Sequence, residues 1–272
     1  MNILLDLDAH PVIGHRGAAR YAPENTLESF ALAIEQGADA IECDVHVTAD
    51  GVPVIIHDPL LDRTTDARGA VASLSFTQLG GVDAGARFTP DRGQSFPWRG
   101  RGVRVPTLSE ALERFAGVPF LIEIKAAGAG RAVQRVIDAH HAEDRCVVAA
   151  FDTRALDELR GTNVVCGACR GDIARMLART FIGPRPRSLG YRAIAAPERY
   201  AVLPVVTRRF VDLARRAGCP THVWTVDEPA VATRLWKIGV AGIISNAPDL
   251  ILAARDAEGG AVRGGRPASH GA

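Results

Sequence analysis

In the run Ile41-Glu-Cys-Asp-Val-His-Val, Glu42 and Asp44 alternate with Ile41, Cys43 and Val45. Successive side chains of a strand point to opposite faces, so the two carboxylates share one face. Asp50-Gly51 is a turn signal, because glycine accepts positive φ cheaply, and the β-rich residues 52–56 bring the chain back to His57. A carboxylate pair and an imidazole therefore converge at one end of a short strand pair. Alternating acids are also what the wet face of any half-exposed strand shows. His15-Arg16-Gly17 argues for more, since it follows directly on the apolar Pro11-Val12-Ile13. An imidazole, a guanidinium and a flexible glycine at the C-terminal end of a strand are hard to justify as packing, and they suit an anion site. A second acid–base combination, Glu123 and Lys125, shares a face of the largely apolar run Phe120-Leu-Ile-Glu-Ile-Lys. A charged pair at the end of a buried strand costs free energy unless it is paired or binds something there. Lysine is scarce in this chain, Lys125 and Lys237 being the only two, and every other basic residue apart from histidine is arginine.

The elements that must hold these residues follow a repeating order. After the first strand, Pro23, Glu24, Asn25 and Thr26 precede Leu27, Phe30, Ala31 and Ile34 at helical spacing, and Gly37 supplies the stop. Strand, helix, strand with a short crossover is the βαβ unit of a parallel sheet. Thr107 with Glu110 three residues on is a capping box, opening a helix that Gly117 ends. Strands are expected to begin near Val12, Ala40, Phe120, Cys146, Val164, Ala193, Thr221 and Ala241, with helices between them. Eight βα repeats in this length predict a TIM-like (β/α)₈ barrel, whose chemistry sits at the C-terminal strand ends. The acids and histidines singled out all fall at such ends. Residues 59–106 lose this periodicity to Gly, Pro, Arg and Asp, and so long an irregular segment reads as a small insertion after the second strand, a cap or lid. Residues 1–252 are thus expected to form the barrel, and the Gly-rich residues 253–272 a disordered tail.

Composition narrows the class. At 272 residues and 47% hydrophobic content the chain can bury one large core. With 32 basic and 31 acidic residues the formal net charge is +1, so no global field points to nucleic acid or to an anionic membrane. No apolar run approaches the ~18 residues of a spanning helix, so stable membrane insertion is not expected. Asp6 and Asp8 interrupt the first leucines and no basic segment precedes them, which argues against a secretory signal and for a cytoplasmic location. Five cysteines without a scaffold pattern read as free thiols, and Cys166-Gly-Ala-Cys169 has no second pair to complete a zinc site. Oligomeric state has no signature.

A set of short motifs, in order and spanning the chain to about residue 252, resembles the glycerophosphodiester phosphodiesterase family. They are His15-Arg16-Gly17, Pro23-Glu24-Asn25-Thr26, Glu42-Cys-Asp44-Val45, Thr48-Ala-Asp50-Gly51, His57-Asp58, Glu123-Ile-Lys125, Trp224-Thr225-Val226 and Gly239-Val240-Ala-Gly242-Ile243. The resemblance implies His15 and His57 as the acid/base pair and Glu42, Asp44 and Glu123 as ligands of a divalent cation, Mg²⁺ or Ca²⁺. It also implies Arg16 and Lys125 as phosphate-facing cations, and a small-molecule glycerophosphodiester as substrate. Trp224 reads either as barrel core or as an apolar wall for the glycerol. Ser245-Asn246-Ala247-Pro248 departs from the family's usual Thr-Asp before this proline, which bears on substrate fit more than on catalysis. Related phospholipase D or sphingomyelinase D-like chemistry would use the same strand ends and call for an apolar surface around the mouth. An inactive barrel that binds phosphodiesters would have little use for both histidines and all three acids.

Overall fold

The computed structural model describes residues 2–150, 152–182 and 189–264. β1 (Val12–His15) leads through α1 (Leu27–Glu35) to β2 (Ala40–Val47), and the short β3 (Pro53–Ile55) turns back antiparallel on β2. The insertion follows, with α2 (Phe76–Leu79) as its one α-helix. After it come α3 (Leu108–Arg114), β4 (Phe120–Ile124), α4 (Gly130–Ala139), β5 (Cys146–Ala150), α5 (Thr153–Asp157), β6 (Val165–Cys166) and α6 (Arg170–Ile182). β7 (Ile194–Pro197) runs into a small hairpin of β8 (Arg199–Tyr200) and β9 (Leu203–Pro204). α7 (Arg208–Arg216), β10 (Thr221–Trp224), α8 (Pro229–Lys237), β11 (Gly242–Ser245) and α9 (Pro248–Gly264) complete the order.

Helix starts follow their capping chemistry. Thr26 accepts the backbone N–H of Ser29 at the head of α1, and the Thr107–Glu110 capping box forms with both of its hydrogen bonds. Burial of Phe30 and Ala33 on one face and of Leu108, Ala111 and Leu112 on another seats these helices against the outside of the sheet.

Eight parallel strands pair in the order β6-β5-β4-β2-β1-β11-β10-β7. The two outer strands meet through backbone hydrogen bonds from Arg192 N–H to the Cys166 carbonyl and from Ala168 N–H to the Ala193 carbonyl, both 2.8 Å, which closes the ring. This is the TIM-like (β/α)₈ barrel, and its strands begin within about one residue of the expected positions. Strand alternation puts Ile13, Ala40 and Leu121 on the same face as His15, Glu42 and Glu123, so the apolar members of each strand fill the barrel beneath its charged end. Leu4 plugs the floor, and its carbonyl accepts a 2.9 Å hydrogen bond from Nε2 of His222, whose pKa burial drives down to about 4.

The structure differs from the sequence reading in three places. β6 is only two residues long, although Gly167 and Ala168 still donate backbone hydrogen bonds to Val148 and Ala193 on either side, both 2.8 Å, before α6 begins at Arg170. The β8–β9 hairpin was not expected, two-residue strands being too short to show a period. Order also does not stop at 252: α9 continues through Gly264, tied back by Arg255 to Asp39 at 2.6 Å and by Lys237 to Glu258 at 3.3 Å. A tail rich in Gly and Ala has no apolar signal, yet it can extend a helix already docked at Ile251 and Leu252. Residues 265–272 lie outside the described part. All five cysteines are free thiols, and no described helix is long and apolar enough to cross a membrane.

Candidate active site

Register assembles the site. β1 pairs with β2 so that His15 lies beside Glu42, and β2 pairs with β4 so that Asp44 lies beside Glu123. Ligand oxygens of Glu42, Asp44 and Glu123 consequently come within 4.8 Å of one another. Three carboxylates that close repel strongly when dehydrated, and the chain compensates them unevenly. Lys125 Nζ stands 2.8 Å from Asp44 and 2.9 Å from Glu123, and Arg16 Nε stands 3.0 Å from Asp44. Asn25 donates to Asp44 at 2.8 Å and accepts the Asp44 backbone N–H at 3.2 Å. Burial works against ionising Asp44, but Lys125 and Arg16 outweigh it and hold the carboxyl below its usual range.

Glu42 is compensated less well: it accepts the backbone N–H of Arg16 at 3.0 Å, with His15 Nε2 at 4.0 Å, and the charges of Arg16 and Lys125 do not make up for its burial. Burial first, then Asp44 and Glu123, raise its carboxyl well above the normal value, and burial with Asp44 raises Glu123 despite Lys125. An all-oxygen cluster with one under-compensated buried carboxylate fits a hard divalent cation, which would relieve the repulsion the side chains leave in place.

The two histidines are oriented from behind. His15 Nδ1 lies 2.7 Å from Asn246 Oδ1, and Asp227 accepts from both Asn246 Nδ2 and Asn246 N–H, at 2.8 and 2.7 Å. Because Asp227 can only accept, the amide oxygen must face the ring. His15 therefore donates from Nδ1 and keeps the lone pair of its neutral form on Nε2. Burial, then the Arg16 charge, lowers the His15 pKa against the partial support of Asn246. His57 Nδ1 lies 2.6 Å from Asp58 Oδ1, which leaves its Nε2 for the cavity. Burial pushes Asp58 up, but Arg63 and His57 more than offset it and hold the carboxyl at about 2. Arg63 also pairs with Glu24 at 2.7 Å, and Glu24 with Arg16 at 2.7 Å. The insertion thus reaches the site through one arginine that locks the partners of His57 and Arg16.

A cavity of about 410 Å³ opens at this end of the barrel. His15, Arg16, Glu42, His57, Glu123, Lys125 and Trp224 line it, while Asp44 lies just behind, fully buried. The structure therefore brings together every site residue singled out in the sequence. Asn25, Asp58, Asp227 and Asn246 were missed as supports. Asp58 was legible as the neighbour of His57, but the Asp227–Asn246–His15 line depends on the last strand meeting the first, which no local pattern shows. His46 donates to the His57 carbonyl at 3.1 Å and does not line the cavity. The insertion corrects a second expectation: none of residues 59–106 lines the cavity, and Leu61, Leu79, Val82 and Val103 instead pack with Val54 and Ile56 in a small core of their own. Its outer wall comes from α6 and the β8–β9 hairpin.

Gly17 allows the turn that seats Arg16. Its φ is +86°, and a Cβ there would meet Ser29 atoms at 2.4–2.6 Å. Gly17→Ala is expected to lose at least about 1–3 kcal/mol from backbone conformation alone. An unchanged thermal midpoint would contradict this.

The model of the glycerophosphoryl diester phosphodiesterase family matches residues 15–250. A glycerophosphodiester phosphodiesterase of Caldanaerobacter subterraneus subsp. tengcongensis is 31% identical over 249 residues, covering 89% of this chain and 96% of the relative. Among solved structures, the glycerophosphoryl diester phosphodiesterase domain of a Mycobacterium tuberculosis protein superposes with a TM-score of 0.79 at 22% identity, covering 91% of this chain and 99% of that one. An Oleispira antarctica phosphodiesterase, in complex with the product sn-glycerol-3-phosphate, gives a TM-score of 0.74 at 27% identity over 90% of this chain and 96% of that one. Motifs, barrel, acidic cluster and these likenesses agree, and the chain belongs to the glycerophosphoryl diester phosphodiesterase family.

Proposed function

We propose that His15 and His57 carry the proton transfers in the glycerophosphodiester hydrolysis that family membership assigns to this chain, with Glu42, Asp44 and Glu123 holding Mg²⁺ or Ca²⁺. The observation that carries the reading is the convergence of two separately oriented imidazoles with three carboxylates in one cavity. A phosphodiester is an anion that resists nucleophiles, so its hydrolysis needs charge neutralisation, an activated nucleophile and a protonated leaving alcohol. When bound, the cation supplies Lewis-acid polarisation of the phosphoryl oxygens. Arg16 and Lys125, held by Glu24, Asp44 and Glu123, add fixed positive charge facing the phosphate. One imidazole takes a proton from the nucleophile as the other gives one to the departing oxygen, each worth about 10²–10⁴-fold. Trp224, where β10 ends, is the apolar wall for the glycerol. The enzyme works on small molecules in the cytoplasm.

Incubation with glycerophosphocholine, glycerophosphoethanolamine and glycerophosphoglycerol should release the alcohol and leave sn-glycerol 3-phosphate. Release of free glycerol and the phosphorylated alcohol would contradict the reading.

The lowered pKa of His15 sets a pH expectation. An imidazole that sheds its proton below the ordinary value of about 6.5 remains a competent base further into acid. With His15 as the base, the acidic limb of kcat/KM should therefore fall below pH 6.5, and it should move further down in Asn246→Leu, which removes the hydrogen bond that supports the protonated ring. A wild-type limb above that value would contradict the environment described for His15.

A further inference from the structure

A second cavity, of about 360 Å³, lies between the loop after β1 and the insertion, and among the described residues it shares no lining side chain with the catalytic one. Arg20, Arg63 and Arg87 line it together, and Glu24 is the one carboxylate among its described lining residues. Glu24 is already engaged. It accepts Arg16 Nη1 at 2.7 Å and the two terminal nitrogens of Arg63 at 2.7 and 2.8 Å. Burial works against ionising it, yet Arg63 and Arg16 outweigh that and hold its carboxyl below the usual range. Arg20 and Arg87 are exposed and have no ion-pair partner among the described residues. Arg87 donates Nε to the Thr65 carbonyl at 2.6 Å, and the Arg20 guanidinium lies 6.0 Å from the centre of the Tyr21 ring. Pro23, Ala84, Phe88 and Pro90 supply apolar walls. A cleft of one charge sign between low-dielectric walls concentrates counter-ions.

Arg63 couples this cavity to the catalytic groups. The guanidinium that lines the pocket donates Nε to Asp58 Oδ2 at 2.5 Å, and Asp58 Oδ1 lies 2.6 Å from His57 Nδ1. An anion bonded to Arg63 competes for it with Asp58, which orients His57, and with Glu24, which holds Arg16. Charge narrows what that anion is. Two arginines without a counter-charge are matched by a dianion, and the several acceptor oxygens of a phosphate can take forks from more than one guanidinium. A phosphodiester carries a single negative charge, so the pocket favours a phosphomonoester over the substrate.

Resting on the hydrolytic reading given for the catalytic cavity, we infer that this second cavity is an inhibitory site for a phosphate dianion, either inorganic phosphate or a small phosphomonoester such as the reaction's own product. Occupancy loosens the hold of Arg63 on Asp58 and Glu24. His57 and Arg16 then lose their fixed orientation, and kcat falls while the catalytic cavity stays open to substrate.

The test follows glycerophosphocholine turnover by the metal-loaded full chain, with Mg²⁺ in excess, as inorganic phosphate or sn-glycerol 3-phosphate is added. Either anion should raise KM by competing in the catalytic cavity and should also lower kcat, by about fivefold or more at saturation. Arg20→Gln, the variant safer for folding, should weaken the kcat effect, and Arg20→Gln with Arg87→Gln should abolish it. In both variants turnover without added anion should stay within about twofold of the wild type, and the KM effect should remain. Stronger kcat inhibition by sn-glycerol 3-phosphate supports the site as product feedback, and stronger inhibition by inorganic phosphate supports it as a response to the free ion. An anion that raises only KM in the wild type would overturn the inhibitory site and leave the phosphodiesterase reading standing. A kcat effect that survives in the double variant, or that disappears when more Mg²⁺ is added, would overturn it as well. Absence of turnover on every substrate would overturn the phosphodiesterase reading, and calorimetric titration with inorganic phosphate would then decide the pocket separately. One binding event fewer in the double variant than in the wild type supports it, and an equal number overturns it.

Discussion

Excess EDTA is expected to abolish glycerophosphocholine hydrolysis, with a loss of about 10²–10⁴-fold, and Mg²⁺ or Ca²⁺ is expected to restore it. The reason lies in how the three carboxylates are compensated. Asp44 has Lys125, Arg16 and Asn25 around it and stays below the usual carboxylate range, whereas at Glu42 burial and the neighbouring carboxylates outweigh Arg16 and Lys125. A buried carboxylate compensated that poorly is costly unless it is protonated or coordinates a cation. Glu42→Gln should therefore remove most of the activity without unfolding the metal-free protein, because it deletes the least compensated charge. The same variant should lose most of the rise in thermal midpoint that added Mg²⁺ or Ca²⁺ gives the wild type. Full turnover in EDTA, with no metal found by elemental analysis, would contradict this account, as would an undiminished metal-induced rise in Glu42→Gln.

His15→Ala and His57→Ala should each lower kcat by about 10²–10⁴-fold in a folded, metal-binding protein. Both rings are held by one nitrogen, His15 by Asn246 and His57 by Asp58, so each presents the other nitrogen to the cavity in a set orientation. Their losses should be far from additive in the double variant, since they serve one proton-transfer cycle. Arg16→Ala should instead chiefly raise KM, with some loss of kcat because charge on the phosphoryl oxygens grows in the transition state. Arg16 also holds Glu24 and Asp44, so a modest fall in stability accompanies it.

Much of this was legible because period and register carry it. Alternation in β2 and β4 puts Glu42, Asp44 and Glu123 on the barrel's inner face, and the order of βα units sets which strands are neighbours. His15 and His57 could be placed because both follow apolar strands. What escaped was contact between segments far apart in sequence. Asp227 orients Asn246, and Asn246 orients His15 across 231 positions, so an asparagine where the family usually has aspartate looked like a change of fit rather than a support. The outer wall of the cavity escaped as well. No local pattern shows that Ile173, Ala174 and Leu177 of α6 reach the cavity while Met176 is buried in the core; that follows only from the tertiary fold. The irregular residues 59–106 drew attention as a lid. In the folded chain they bury their own core and reach the site through Arg63.

The two-histidine claim is tested most directly by changing the leaving group. For a glycerophosphodiester of p-nitrophenol the departing oxygen needs little protonation, so the variant that lacks the general acid should regain most of its lost kcat. The variant that lacks the general base should stay impaired. The account predicts that one of His15→Ala and His57→Ala recovers with this substrate and the other does not. Equal losses in both variants on both substrates, or near wild-type kcat in either variant with choline as leaving group and metal still bound, would contradict it.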